Sequence, residues 1–505
     1  MVPQQIKWFK MKNNRFIILL LLALLPTYLW AQDEWTVVHG DCLAEQAVPT
    51  HRAGRLKLPA INNQWDASKI YRQLVILINF SDKQFLSEDP QAQYNQILNE
   101  SGYNERKGPG CMADYFREQS GGLLNLQFDV YGPFDVSQQA QPDENPDSET
   151  RNHGQDSFAE ATDSLIKQHP EIDFTIYDWN GDGRIEQVVY VYAGQPGNLG
   201  ATTYGYTWPN TGKLSRAITT PDKLIISNYT ASGEYWPYSP PISCGFGTIC
   251  HEYSHSLGLP DIYPTNGWVY SVCDEWDLMD GGNFTNYGWC PPNYTPLEKM
   301  LLGWLTPIEL TEAASIINLP AVSEGGDIYQ IRHSDTEYLL LDNRQHTRWD
   351  AGTPGHGLLV WYVDYDEAAW CKNEPNNRQN DPRFHPVYAD GLDYAAWAAK
   401  ISTEGLSQYQ HSGRMNKCHL STAPYPFEEN NALVDEYITN IQESEDGLIS
   451  FDFMGGASGI KEMNDAKLNG HEYYDLQGRR IEHPVRGQLY LTRKADGSIC
   501  KHLYQ

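Results

Sequence analysis

The stretch His251-Glu252-Tyr253-Ser254-His255-Ser256-Leu257-Gly258-Leu259-Pro260-Asp261 constrains this 505-residue chain more than any other. Two histidines four residues apart lie on one face of a helix, one turn from each other, so His251 and His255 can offer two imidazole nitrogens to a single ion. Glu252 then stands beside that ion, where a carboxylate can take a proton from water and pass it to a leaving amine, as peptide hydrolysis requires. Phe246, Ile249, Tyr253 and Leu257 fall on the opposite side at about 100° per residue. The pattern predicts a helix with one packed face and one metal-binding face.

A catalytic zinc takes three protein ligands and keeps the fourth position open, so a third ligand is required. Gly258 can adopt the positive φ that ends a helix, and Pro260 cannot continue it, which brings Asp261 back toward the metal. Glu275, twenty residues after His255, is the rival if it stands on a second helix. Its neighbourhood, Cys273-Asp274-Glu275-Trp276-Asp277-Leu278-Met279-Asp280-Gly281-Gly282, reads as a turn from its paired glycines and clustered aspartates. Asp261 is the favoured ligand.

HEYSHSLGLPDIY followed by WDLMDGG resembles the secreted zinc metallopeptidases of the immune inhibitor A type, relatives of the metzincins whose third ligand is Asp in place of His. The resemblance implies zinc on His251, His255 and Asp261, Glu252 as general base, and Met279 as the methionine of the turn beneath the metal. It extends to YRQLVILINFSDKQF, GCMADYFREQSGGLL, YDWNGDGRIEQVVYVYAG, PPNYTPLEKMLLGWLTPIEL and GTPGHGLLVWYVDYD, covering Tyr71 to Asp366. Two positions depart from the family pattern: Tyr362 and Asn210 stand where relatives often carry His. Neither is a ligand, so the departures bear on secondary or substrate contacts.

Lys7, Lys10, Lys12 and Arg15 precede the apolar run Phe16–Leu25, as in a secretory signal. Pro26 ends the run too early for a membrane span, and cleavage after Ala31 fits the preference for a small residue. Met11 can serve as the initiator. The mature chain is expected to be secreted or held at the cell surface, with no transmembrane segment. Losing residues 1–31 removes four basic side chains and moves the formal charge from −28 to −32. Such a surface repels nucleic acid and anionic lipid. Nine cysteines in an exported chain cannot all pair within one molecule. Cys273 with Cys290 is the first expected pair and Cys371 with Cys418 the second, while Cys250, on the packed side of the helix, reads as a buried thiol.

Residues 32–70 read as a pro-segment or linker, in which Asp41-Cys42 either reaches the zinc in a latent form or forms a surface turn. Tyr71–Phe80 reads as a buried strand and Ser157–His169 as an amphipathic helix. Together they predict an α+β catalytic domain over 71–310, which the resemblance implies is metzincin-like. Within it, Asp178-Trp179-Asn180-Gly181-Asp182-Gly183-Arg184-Ile185-Glu186 has the D-x-N-x-D-G spacing of a calcium loop, with Val189 where an EF-hand carries its bidentate glutamate. Calcium held by Asp178, Asn180, Asp182, Arg184 and Glu186 competes with a metal-free turn. Residues 311–455 change to short strands and predict a β-sandwich, with a polar loop at Asn376–Asp381. After the junction Gly455–Ser458, residues 456–505 are similar to the small β domains that route proteins through type IX secretion, or form a cap on the preceding domain.

The expected function is hydrolysis of proteins or glycoproteins by a secreted zinc endopeptidase, in which Glu252 activates the attacking water. The alternative is a glycoprotein- or glycan-binding surface protein on a protease-derived scaffold, consistent with 32 Tyr and 15 Trp. The intact Glu252 argues against it, since a binding protein has no need of a base beside its metal.

Overall fold

The first strand, β1 (Ile70–Asn79), is a near-continuous apolar run, and its side chains leave the sheet on alternate faces. A computed structural model describes residues 65–141, 154–198, 206–266, 272–353, 355–378, 381–387 and 438–456, and places strands alone within 472–503. The signal segment, Asp41-Cys42 and Cys418 lie outside the described residues.

β1 sits inside a five-stranded sheet of order β2-β1-β3-β5-β4, with β2 Asn125–Asp135, β3 Val188–Tyr192, β4 Asn210–Thr219 and β5 Ile225–Gly233. β1, β2, β3 and β5 run parallel, and β4 joins β5 antiparallel. A parallel sheet must be covered on both faces, which explains why β1 and β3 are apolar throughout. Leu74, Ile76 and Ile78 pack with Phe158, Ala161 and Leu165 of α3 (Gln155–Gln168). Val75 and Leu77 point the other way, into a cluster with Ile249, Cys250 and Tyr253 of the helix that carries the histidines. The same cluster takes Tyr94, Ile97 and Leu98 of α1 (Pro90–Asn99) and Met112, Tyr115 and Phe116 of α2 (Met112–Gln119).

The short hairpin of β6 (Tyr235–Trp236) and β7 (Ile242–Ser243) leads into α4, Gly247–Ser256. A side chain in place of Gly247 would meet Asn283 O at 2.2 Å, so α4 begins in backbone contact with the loops that follow the site. α5 (Pro296–Leu301) starts with Pro at its first position and a Thr295–Glu298 capping box, which satisfies two otherwise unpaired helix-end groups.

Over 311–455, where a β-sandwich is expected, two sheets enclose an apolar layer. One has the order β13-β12-β11-β10-β8, built from β8 Ile308–Glu309, β10 Tyr329–Arg332, β11 Glu337–Arg344, β12 Gly357–Asp364 and β13 Phe384–Pro386. The other is β14-β15-β9, from β9 Ala314–Leu319, β14 Ile438–Glu443 and β15 Ile449–Phe453. Leu339, Leu341, Leu358 and Val360 face the smaller sheet. Their neighbours Leu340, Leu359, Trp361 and Val363 face the cluster that holds α4, so a single apolar cluster runs from Tyr71 to Phe384. A separate antiparallel sheet, β17-β16-β18-β19, is formed by β16 Glu472–Tyr474, β17 Arg480–Ile481, β18 Leu489–Arg493 and β19 Ile499–Leu503.

The expected Cys273–Cys290 disulfide is absent. Both are buried free thiols, and each sulfur is committed elsewhere: Cys273 toward Phe384 O at 3.7 Å and Cys290 toward Trp349 O at 3.4 Å. Proximity in sequence does not supply the close Cα approach that a disulfide needs. Cys250 is likewise a buried thiol, and burial pushes all three thiols well above their ordinary pKa.

Arg344, on β11, joins its sheet to the segment that leads into α5. Its fully buried guanidinium donates to Asp342 at 2.5 Å, to Asp350 at 3.0 Å, and to the carbonyls of Asn293 and Tyr294 at 3.1 and 3.0 Å. Arg344→Met should lower folding stability by about 3–5 kcal/mol, because two buried carboxylates then lose their counter-charge. Chemical denaturation measures this, and an unchanged midpoint would show that Arg344 does not carry the junction.

Candidate metal centre

α4 places His251 and His255 one turn apart with their ring centroids 4.9 Å from each other, while Phe246, Ile249 and Tyr253 are buried in the core behind them. Leu257 is only partly buried at its edge. The helix ends where Gly258 takes φ +106°, a conformation that L side chains rarely adopt. No atom lies within 4 Å of where its Cβ would be, so it is the dihedral that requires glycine there. The chain turns back, and Asp261 Oδ1 arrives 3.2 Å from His251 Nε2 and 3.1 Å from His255 Nε2.

Hydrogen bonds on the far side of each ring decide what meets at this point. His251 Nδ1 lies 2.8 Å from Leu278 O, and His255 Nδ1 lies 2.9 Å from Leu259 O. A carbonyl only accepts, so each Nδ1 carries a proton and each Nε2 is left to face the shared point, as a bare lone pair whenever the ring is neutral. Asp261 Oδ1 is buried there with no hydrogen-bond partner. With both rings neutral, three acceptors face one another, an arrangement that a cation reconciles as well as protons do, and two imidazoles with one carboxylate form a zinc-type set that leaves a fourth position. Among the described residues, this is the one group of three or more His, Cys, Asp or Glu side chains whose ligand atoms converge, all within 4.8 Å. Burial opposes charge on His255, but the Asp261 carboxylate outweighs it and pushes the imidazole up to about 9. The two imidazoles in turn hold Asp261 well below the usual carboxylate range against the effect of its burial.

Glu252 is buried beside the trio. Burial raises its pKa and Asp261 adds to the rise, while the two histidines oppose it. Its neighbours are Thr211 and Thr230, on β4 and β5. Thr211 Oγ1 donates to the Glu252 backbone carbonyl and lies 3.4 Å from Glu252 Oε2, and Thr230 Oγ1 reaches the same carbonyl at 3.4 Å. Tyr263 stacks parallel to the His251 ring with centroids 6.3 Å apart.

Met279 is fully buried in the turn after the site. That turn is tied to the metal segment twice, by Leu278 O accepting from His251 and by Met279 O accepting from Ile262 N at 2.8 Å. Asp277 Oδ1 in turn accepts from Met279 N at 2.6 Å. Burial, with Glu298 beside it, pushes the Asp277 carboxyl well above its ordinary value. Glu275, the rival ligand, is buried in the one-turn helix Asp274–Trp276 and does not join the histidines.

The structure gives the acidic loop at 178–186 a different form from the metal trio. Asp178 Oδ1 accepts from Gly181 N and Asp182 N at 2.8 and 3.1 Å, and its Oδ2 from Gly183 N at 2.9 Å. Asn180 and Asp182 likewise accept from amides of the loop, and both Glu186 oxygens accept from Trp179 N. Arg184 is exposed. Asp178, Asp182 and Glu186 do not form a converging group of the kind that His251, His255 and Asp261 form. Of the two departures from the resemblance, Asn210 Oδ1 accepts from Tyr229 OH at 2.5 Å and Tyr362 OH donates to Glu337 at 2.9 Å.

Burial raises Glu186 to about 7 from the ordinary 4.5. A carboxyl with a raised folded-state pKa stabilises the fold below its unfolded value, and that stability is lost as pH rises through the folded value. In chelator, Glu186→Gln should flatten the fall in stability between pH 4.5 and 7, a change of roughly 3 kcal/mol at about 1.4 kcal/mol per pKa unit. Denaturation midpoints across that range check it, and parallel profiles for both proteins would refute it.

Residues 63–299 match the family model described as immune inhibitor A peptidase M6, catalytic domain. The chain is 26% identical over 296 residues to immune inhibitor A of Bacillus thuringiensis subsp. alesti, an alignment covering 50% of this chain and 41% of that protein. It is 22% identical over 378 residues to the pre-pro-metalloprotease PrtV of Vibrio cholerae serotype O1 (strain M66-2), covering 67% of this chain and 39% of PrtV. The chain thus spans about two fifths of the length of the curated relatives it matches. These likenesses mark residues 63–299, which hold α4 and Asp261, as a metalloendopeptidase segment similar to the immune inhibitor A, peptidase M6 catalytic domain.

Proposed function

We propose that this chain is an exported zinc endopeptidase that cuts protein substrates with His251, His255 and Asp261 holding the metal and Glu252 moving the proton. The observation that carries the reading is the convergence of His251, His255 and Asp261 ligand atoms on one point, beside a buried glutamate. A zinc ion at that point supplies Lewis acidity to a peptide carbonyl and to an attacking water.

The chain's own residues account for the remainder. Glu252, ionised, accepts a proton from the water and returns it to the leaving amine; its raised pKa brings it closer to the working range of a general acid and base. Thr211 and Thr230 hold the Glu252 main chain to the sheet, which fixes the carboxylate relative to the imidazoles. β4 is the edge strand on this side, so its outer backbone groups can pair with an extended peptide laid past Glu252. That geometry favours a polypeptide substrate over a small molecule.

Export is supported by the basic and apolar segments before Ala31, and no described helix is long and apolar enough to cross a membrane. We assign residues 456–505 as a sorting-like module, in keeping with the four short strands β16–β19.

Glu252→Ala should retain one zinc per chain while turnover on an unfolded protein such as casein falls by about 10²–10⁴-fold. Metal content is read by atomic absorption and turnover by peptide release. Wild-type turnover in this variant would end the assignment of Glu252.

A further inference from the structure

The third ligand is gripped by a residue that lies well outside the matched catalytic segment. Between β12 and β13 the chain forms a short helix, α6 (Glu367–Cys371), and then the polar run Asn373-Glu374-Pro375-Asn376-Asn377. Asn373 adopts φ +62°, a left-handed conformation that asparagine tolerates better than most residues. Its side chain meets Asp261 at two points: Oδ1 accepts from Asp261 N at 2.6 Å, and Nδ2 donates to Asp261 Oδ2 at 2.6 Å.

The rest of the run ties the same strap to the chain following the ligand. Asn376 is fully buried and donates to Ile262 O at 3.0 Å and to Phe384 O at 2.8 Å, which fastens it to β13. Asn377 Oδ1 accepts from Thr265 N at 2.7 Å, and Thr265 Oγ1 donates to Asn373 O at 2.7 Å. Asn373 alone among these touches the ligand's carboxylate.

We propose that Asn373 is a positioning residue for the metal, one that makes Asp261 a ligand through a single oxygen. A free carboxylate can rotate, or bind a cation through both oxygens and fill the position that a substrate needs. With Oδ2 engaged by Asn373, only Oδ1 is left to face the two Nε2 atoms, at 3.2 and 3.1 Å. The hydrogen bond from a carboxamide to an ionised carboxylate is of the stronger, charge-assisted kind, and partners of this sort orient metal ligands throughout metalloproteins. The metal centre is then completed by a strap of the second sheet, reached through the fold and not through the sequence neighbourhood of α4. This inference rests on the reading of His251, His255 and Asp261 as the metal ligands.

The test uses the full chain and three variants. Asn373→Gly removes the carboxamide while keeping the +62° backbone comfortable, Asn377→Ala removes that side chain's hydrogen bonds with Thr265 but leaves Asp261 alone, and Asp261→Ala removes the ligand. Zinc affinity is read by competition with a chromophoric chelator, and ligand geometry by the visible absorption of the cobalt-substituted protein. The expected result is that Asp261→Ala fails to hold zinc, Asn373→Gly binds it about 10–100-fold more weakly with a changed cobalt spectrum, and Asn377→Ala matches wild type. Wild-type affinity and spectrum in Asn373→Gly, beside a failed Asp261→Ala, would overturn the proposal and leave the ligand assignment standing. Equal weakening in Asn377→Ala would also overturn it, since docking of the strap as a whole would then be the cause. Zinc held normally by Asp261→Ala would overturn the ligand assignment and this proposal with it.

Discussion

Everything about this site follows from one electrostatic constraint: two imidazole nitrogens and a carboxylate oxygen are held facing one another at a single, largely desolvated point. Such a point is unfavourable unless a cation or protons fill it, and desolvation magnifies the penalty. The fold answers by fixing each acceptor from behind. Carbonyls of Leu278 and Leu259 set the imidazole tautomers, Asn373 takes the spare oxygen of Asp261, and the Met279 turn is bound to the segment that carries the ligand. The two residues whose carbonyls matter, Leu278 and Leu259, contribute nothing through their side chains to the metal, and any residue could supply those oxygens.

That difference explains what was legible in the residues before the fold was known. Side-chain chemistry at helical spacing is local, so His251, Glu252, His255 and the return of the chain at Gly258 could be read directly. So could β1, expected at 71–80 and found at Ile70–Asn79, and α3, expected at 157–169 and found at Gln155–Gln168, because apolar periodicity is a property of the segment itself. Asn373 could not be read this way. It lies in a polar run that resembles many surface turns, 112 residues from the aspartate it grips, and only the tertiary path through β12 brings them together. Thr211 was hidden for the same reason, one residue past an Asn210 that drew notice only as a departure from the resemblance.

The Cys273–Cys290 expectation failed on similar grounds. Seventeen positions of turn-rich chain permit many geometries, and the pair was favoured because it brackets the methionine turn. In the fold each thiol instead faces a carbonyl from the second half of the chain, Phe384 for one and Trp349 for the other. In the acidic loop at 178–186, which has the spacing of a cation site, the same oxygens also accept from the amides of their own turn.

The sheet containing β11 and β12 is buried on both sides, with Leu340, Leu359 and Trp361 turned toward α4 and Leu339, Leu341 and Val360 turned toward the smaller sheet. A fragment cut at the end of the matched segment would therefore present a bare aromatic wall where that sheet had been, inviting self-association in place of folding. Homology boundaries and physical boundaries do not coincide in this protein, and expression trials that follow the former would be misled about the latter.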